Sequence, residues 1–170
     1  MTKNEYVILV NENGQQTGYE EKLKAHKEAL LHRAFSIVIY NSKGQMLIHK
    51  RASAKYHSAD LWTNACCSHP RPSETFEAAT QRRMLEELGF TISLTEIGDF
   101  VYKHHDKQSG LTEYEHDTVF EGFYDGEINI NPKEMSEFKW IGLAELKEKV
   151  QTDPEHFTFW FKKIIELYLD

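Results

Sequence analysis

Helix-type and strand-type segments are mixed along this chain without a regular strand–helix–strand succession. That order excludes a doubly wound parallel sheet and leaves an α+β fold with a mixed β-sheet. Residues 6–10 followed by Asn11-Glu-Asn-Gly14 read as a strand and turn, and residues 22–31 as a short helix. Residues 34–40, the turn Asn41-Ser-Lys-Gly44 and residues 45–51 read as a hairpin. Residues 52–72 form a long irregular stretch, and in a small domain such a loop tends to be functional. Residues 73–88 are the best-defined helix, with Ser73 as N-cap and Gly89 as stop. Ala78, Gln81, Leu85 and Leu88 lie on one stripe, from which Ala78, Leu85 and Leu88 are expected to face a core. Further strands are expected at residues 90–94, 98–103, 113–124 and 137–141, and closing helices at 143–150 and 154–169. A length of 170 residues without repeat, low-complexity segment or linker reads as a single domain over 1–170.

Charge narrows the partners. Lys and Arg number 20 against 27 Asp and Glu, a net charge of −7, which disfavours nonspecific binding to nucleic acid or acidic lipid. A small anionic substrate is still compatible, because a pocket can be basic inside an acidic protein. No apolar run approaches the roughly 20 residues of a membrane span. The first apolar run, residues 6–10, is shorter than the about 7–15 residues of a secretory core segment. A cytoplasmic protein is therefore expected. The two cysteines, Cys66 and Cys67, are adjacent, a poor geometry for a disulfide. They are either buried fillers or working thiols.

On the helix, Arg82 with Glu86 and Arg83 with Glu87 are spaced i,i+4. By spacing alone these are surface ion pairs, each worth tenths of a kcal/mol. The functional alternative puts Glu87 on a divalent cation and Arg83 on a phosphate, since hard cations take carboxylate oxygen and Arg binds phosphate bidentately.

The stretch ending at Phe90 resembles the Nudix box, G-x5-E-x7-R-E-U-x-E-E-x-G-U, through Glu74, Arg82, Met84, Glu86, Glu87, Gly89 and Phe90. Ser68 replaces the first Gly, and Arg83 replaces the Glu after Arg. That Glu is a metal ligand in Nudix hydrolases, and a cation in its place argues against diphosphate hydrolysis. Thr63-Asn-Ala-Cys-Cys-Ser-His-Pro70 is similar to the cysteine motif of type 1 isopentenyl-diphosphate isomerases, which keep a Nudix fold. The resemblance runs from Lys22 to Trp160. It implies a Nudix-like α+β fold with the sheet packed between helices.

The resemblance also implies interconversion of isopentenyl and dimethylallyl diphosphate. It selects Cys67, not Cys66, as the catalytic cysteine, with Glu115 as its counterpart and Tyr102 assisting. His26, His32 and His69, three of nine histidines, match the family's metal ligands together with Glu113 and Glu115. Glu113 and Glu115 flank Tyr114 in a strand, so both carboxylates point to one face. Three imidazoles and two carboxylates suit Mn²⁺, Mg²⁺ or Zn²⁺. A Mg²⁺ carried with the diphosphate is expected on Glu87. Lys22, Arg51, Lys55 and Arg83 match cations that hold the diphosphate, and Trp160 an aromatic near the isoprenoid tail. The expected partner is that small-molecule isoprenoid diphosphate, with no nucleic acid or membrane, and the expected state is a monomer. The competing readings are a Nudix hydrolase of nucleoside diphosphate derivatives and a noncatalytic Nudix-like binding module. Arg83 and the matched cysteine and ligand set argue against both.

Overall fold

The computed structural model describes residues 5–169. The elements run β1 (Tyr6–Val10), β2 (Gln16–Glu21), α1 (Lys22–Lys27), β3 (His32–Tyr40), β4 (Gln45–Arg51), β5 (Trp62–Thr63), β6 (Cys66–Ser68), α2 (Phe76–Leu88), β7 (Thr95–Asp106), β8 (Leu111–Phe123), β9 (Met135–Gly142), α3 (Leu143–Thr152) and α4 (Phe159–Tyr168). A 3-10 turn, Pro154–His156, separates the last two helices, so the closing helix expected from 154 begins at Phe159.

The sheet is mixed and organised around β3. One edge of β3 pairs in parallel with β8 from His32↔Glu115 to Tyr40↔Phe123. The other edge is divided among β1 at His32, β6 at Phe35–Ile37 and β4 at Tyr40 alone. The β3–β4 hairpin therefore keeps its expected turn, closed by Gly44 N–H donating to the Asn41 carbonyl (3.0 Å), but its strands diverge at once. β4 turns away to pair with β9 and β5. The wedge is filled by β5 and β6, so residues 52–72 are not wholly irregular. Asn64 bridges the opening by donating its side-chain amide to the carbonyls of Ile37 and Cys66, both at 3.0 Å.

Strand alternation sends successive residues to opposite faces. On one face Val38, Met46, Ile48 and Val119 pack against Trp160, Phe161 and Ile164 of α4 and Leu146 of α3. On the other, Phe35, Ile37, Ile39 and Leu47 pack against Ala79, Met84 and Leu88 of α2. The sheet lies between helices, as expected. No helix among the described residues is long and apolar enough to cross a membrane.

Three local expectations are corrected. Helix α2 begins at Phe76, and Thr75 is its N-cap, its hydroxyl accepting from Ala78 N–H at 3.2 Å. Ser73 lies in a left-handed turn instead (φ 66°). Residues 90–94 form no strand: Phe90 stacks on Tyr124 (ring centroids 3.6 Å apart), and the segment crosses over Gly122, where a Cβ would lie 2.6 Å from Ile92. The buried stripe of α2 is Ala79, Thr80, Met84, Glu87 and Leu88, while Ala78 and Leu85 are exposed. The helix is turned so that Glu87, with Arg83 beside it, is carried inward. Leu88 is 0% and Leu85 60% exposed, so Leu88→Ala should lower unfolding free energy by about 2–5 kcal/mol and Leu85→Ala by less than about 0.5. Urea unfolding of the two variants checks this; the reverse order would contradict the orientation of the helix. Strand β2 carries no alternating apolar signal and was not expected; it is largely exposed and held by pairing with β1.

Candidate active site

A pocket of about 610 Å³, including its open mouth, lies where β6, β7 and β8 meet α2 and α4. Strand β8 sets its floor. Glu113, Glu115 and Asp117 alternate on one face, and Tyr102 on β7 is the cross-strand partner of Glu115. The Tyr102 hydroxyl donates to Glu115 Oε2 at 2.6 Å.

The other oxygen, Glu115 Oε1, faces His69 Nε2 at 2.8 Å and His32 Nε2 at 3.4 Å, and the two nitrogens are 3.2 Å apart. His26 and His32 direct Nδ1 at the carbonyls of Lys22 (2.7 Å) and Leu30 (2.8 Å). Only an N–H can meet a carbonyl, so each Nε2 presents a lone pair. His26 Nε2 is buried without a hydrogen-bond partner. Burial holds the His26 imidazole down at about 3 and that of His69 at about 4, which keeps both neutral. Donor atoms of His26, His32, His69 and Glu115 all lie within 4.8 Å of one another. Neutral imidazoles and a carboxylate with converging lone pairs fit a divalent cation.

The fifth expected ligand stands differently. Glu113 groups with His26 and with His57, whose Nδ1 is 3.1 Å from Glu113 Oε1. His57 has no periodic neighbour in the sequence to mark it out. Glu87 belongs to neither group; it lies on α2 against Arg83.

The adjacent cysteines point to opposite faces of β6. Cys66 is packed among Ile37, Ala79 and Met84 on the α2 face. Cys67 faces the pocket beside Ser36, its cross-strand partner. Its thiol donates to Asn64 Oδ1 (3.0 Å), and its sulfur accepts from Trp160 Nε1–H (3.0 Å). Burial, reinforced by Asp117, pushes the Cys67 thiol up to about 12, so it is protonated at rest. Asp117 also accepts from Ser36 Oγ at 2.7 Å. It was missed, although continuing the alternation from Glu113 and Glu115 points to it.

The four expected cations all line the pocket. The Arg51 guanidinium lies over the Trp160 ring at 5.3 Å and donates to the His57 carbonyl at 3.2 Å. Lys22 pairs with Glu5 (3.0 Å), and Lys55 with Glu134 (2.6 Å). Arg83 contacts Glu86 (2.7 Å), Glu134 (3.1 Å) and Glu87. Burial works against ionising Glu134, but Lys55 and Arg83 bring its carboxyl down to about 2. Neither Glu5 nor Glu134 carries a sequence signal that separates it from other acidic residues. The two i,i+4 pairs of α2 differ in kind. Arg82 lies 3.6 Å from the exposed Glu86 and is instead gripped bidentately by Glu74 (2.8 Å twice), the two residues standing at the E-x7-R spacing of the box. Arg83 and Glu87 form a largely buried pair at the pocket wall, not a solvated one.

Residues 30–161 match the NUDIX domain family. The chain is 45% identical over 161 residues to isopentenyl-diphosphate Delta-isomerase 2 of Photorhabdus laumondii, covering 95% of this chain and 90% of that one. It is 41% identical over 162 residues to the isopentenyl-diphosphate Delta-isomerase of Serratia proteamaculans, with 95% and 90% covered. Among solved structures, a protein of Deinococcus radiodurans superposes with a TM-score of 0.78 at 20% identity, covering 96% of this chain and 99% of that one. A MutT protein of Methanosarcina mazei superposes with a TM-score of 0.66 at 19% identity, covering 80% and 91%. These two likenesses concern the fold alone.

Proposed function

The chain belongs to the NUDIX family and, within it, to the isopentenyl-diphosphate Delta-isomerases, and from that premise we propose how its own residues divide the reaction. The enzyme interconverts isopentenyl diphosphate and dimethylallyl diphosphate, a step that serves isoprenoid biosynthesis. The C3=C4 alkene is unactivated, so a proton is added at C4 to give a tertiary cation at C3. Loss of a proton from C2 then forms the C2=C3 double bond. One proton enters and one leaves, and no electrons are exchanged.

Cys67 and Glu115 carry the two transfers, one at C4 and one at C2, and exchange roles on reversal. The observation that carries this reading is that a protonated thiol and a carboxylate hydrogen-bonded to a tyrosine line one pocket. Tyr102 holds Glu115 Oε2 in place and can relay its proton. Trp160 fixes the Cys67 sulfur through Nε1 and presents an aromatic wall, which favours a nearby cation. A carbocation survives only where water is kept out, and α4 covers this side of the pocket.

His26, His32, His69, Glu113 and Glu115 would hold one divalent ion, Mn²⁺, Mg²⁺ or Zn²⁺, and Glu87 would meet a Mg²⁺ carried with the diphosphate. Bound there, such ions fix the Glu115 carboxyl and neutralise phosphate charge. Lys22, Arg51, Lys55 and Arg83 bind the diphosphate, with Glu5, Glu87 and Glu134 holding three of them until it arrives. We read the described residues as one domain acting in the cytoplasm on a small molecule, without nucleic acid or membrane.

Incubating isopentenyl diphosphate with protein and Mg²⁺ in deuterated water should yield dimethylallyl diphosphate carrying solvent deuterium. Phosphate release instead would support the hydrolase reading, and binding without turnover the binding module.

A further inference from the structure

We propose that the Ser36 hydroxyl is the second hydrogen-bond donor to the Cys67 sulfur, engaged when that sulfur becomes a thiolate. The inference rests on the reading of Cys67 as a proton-transfer group and extends it to a residue outside the recognised motifs. Ser36 is the one polar side chain in the run Ala34-Phe-Ser-Ile-Val-Ile39 of β3, and it is 1% exposed. A hydroxyl buried among apolar neighbours is costly unless it is hydrogen-bonded. Strand register puts Ser36 directly opposite Cys67 on β6, in the wall of the same pocket. Its Oγ lies 2.7 Å from Asp117 Oδ2 and 3.6 Å from Cys67 Sγ, within reach of the larger sulfur atom. A hydroxyl has one proton to donate, so it serves either Asp117 or the sulfur.

The resting contacts suit a thiol. The Cys67 S–H donates to Asn64 Oδ1 at 3.0 Å, and the Asn64 amide is itself fixed by the carbonyls of Ile37 and Cys66. Trp160 Nε1–H donates to the sulfur at 3.0 Å, while Ser36 donates to Asp117. When Cys67 gives its proton to the substrate, the alkene π pair forms the new C–H bond and the S–H pair stays on sulfur. The sulfur then has nothing to donate to Asn64 and carries a negative charge. Donors already aimed at a developing charge stabilise it without rearrangement of the site. Trp160 supplies one. Ser36 supplies the other by turning its O–H from Asp117 to sulfur, which moves no strand. Once the sulfur is reprotonated, Asp117 takes the hydroxyl back.

The test is steady-state turnover of isopentenyl diphosphate by Ser36→Ala, Asp117→Asn and the double variant, with Cys67→Ala as reference and thermal unfolding recorded alongside. Ser36→Ala should lower kcat by about ten- to a hundredfold, the range of one lost hydrogen bond to a charged group, and leave KM unchanged. A serine that only satisfied the buried Asp117 would also cost activity when removed, by stranding that carboxylate. The double variant separates the two roles, because Asp117→Asn removes the charge that would be stranded. The kcat loss from Ser36→Ala should persist in the Asp117→Asn background. Its disappearance there, an unchanged kcat in Ser36→Ala, or a raised KM in place of the lost kcat would overturn the proposal while Cys67 keeps its role. If Ser36→Ala alone does not fold, the double variant measured against Asp117→Asn makes the same comparison. Full turnover by Cys67→Ala would overturn the reading of Cys67, and the proposal with it.

Discussion

Cys67→Ala should reduce conversion of isopentenyl diphosphate by a factor on the order of 10²–10⁴, the range of a lost proton-transfer group. Cys66→Ala should keep most of the activity. Neighbours in a strand face opposite ways, and here one thiol faces the pocket beside Trp160 while the other fills the core beneath α2. Losing the Cys66 sulfur removes roughly one buried group, a cost of about 1 kcal/mol in stability. The measurement is turnover of both variants under saturating Mg²⁺, with thermal unfolding recorded alongside. Equal losses of turnover in the two would remove Cys67 from the mechanism.

Arg83→Glu should lower isomerisation at least as steeply and create no hydrolase. The substituted carboxylate would stand among Glu86, Glu87 and Glu134, and the ion pair that holds Glu87 would be lost. Breaking a buried pair costs about 3–5 kcal/mol, so part of the loss is structural. Arg83→Gln separates the two contributions: it removes the cation without adding like charge, and should mainly raise KM. Restoring the acidic residue of the Nudix pattern should not restore hydrolysis, because the wall opposite is built from Cys67, Tyr102 and Trp160, a thiol and a phenol whose pKa values burial raises and an indole, none of them a base for activating water. Phosphate release is the readout, and efficient hydrolysis by Arg83→Glu would contradict this account of the site.

Arg83 also illustrates what spacing conceals. Its i,i+4 relation to Glu87 was legible, but spacing alone describes a solvated pair. Only the rotation of α2 against the sheet buries it and adds Glu134 from a segment about fifty residues away in the chain. Leu85 shows the converse, an apolar residue on a helix that the same rotation leaves exposed. Short motifs made Cys67, His69 and Glu115 visible, since each lies in a pattern tied to chemistry. His57 and Glu134 meet Glu113 and Arg83, partners about fifty residues away in the chain, and nothing local distinguishes them.

The sequence by itself determined the mixed order of strands and helices, the turn at Asn41–Gly44, the stop at Gly89 and the carboxylate face of Glu113 and Glu115. These follow from backbone preferences and from periodicities of 2 and 3.6 residues, which are local. Tertiary structure alone decided that β3 and β4 part after one residue pair, letting Cys66–Ser68 enter the wedge. It also decided that Glu113 faces His57 and that three of the pocket's cations are held by carboxylates. Those outcomes depend on which edges pair and which lone pairs are left unsatisfied once water is excluded, and no short stretch of chain encodes that.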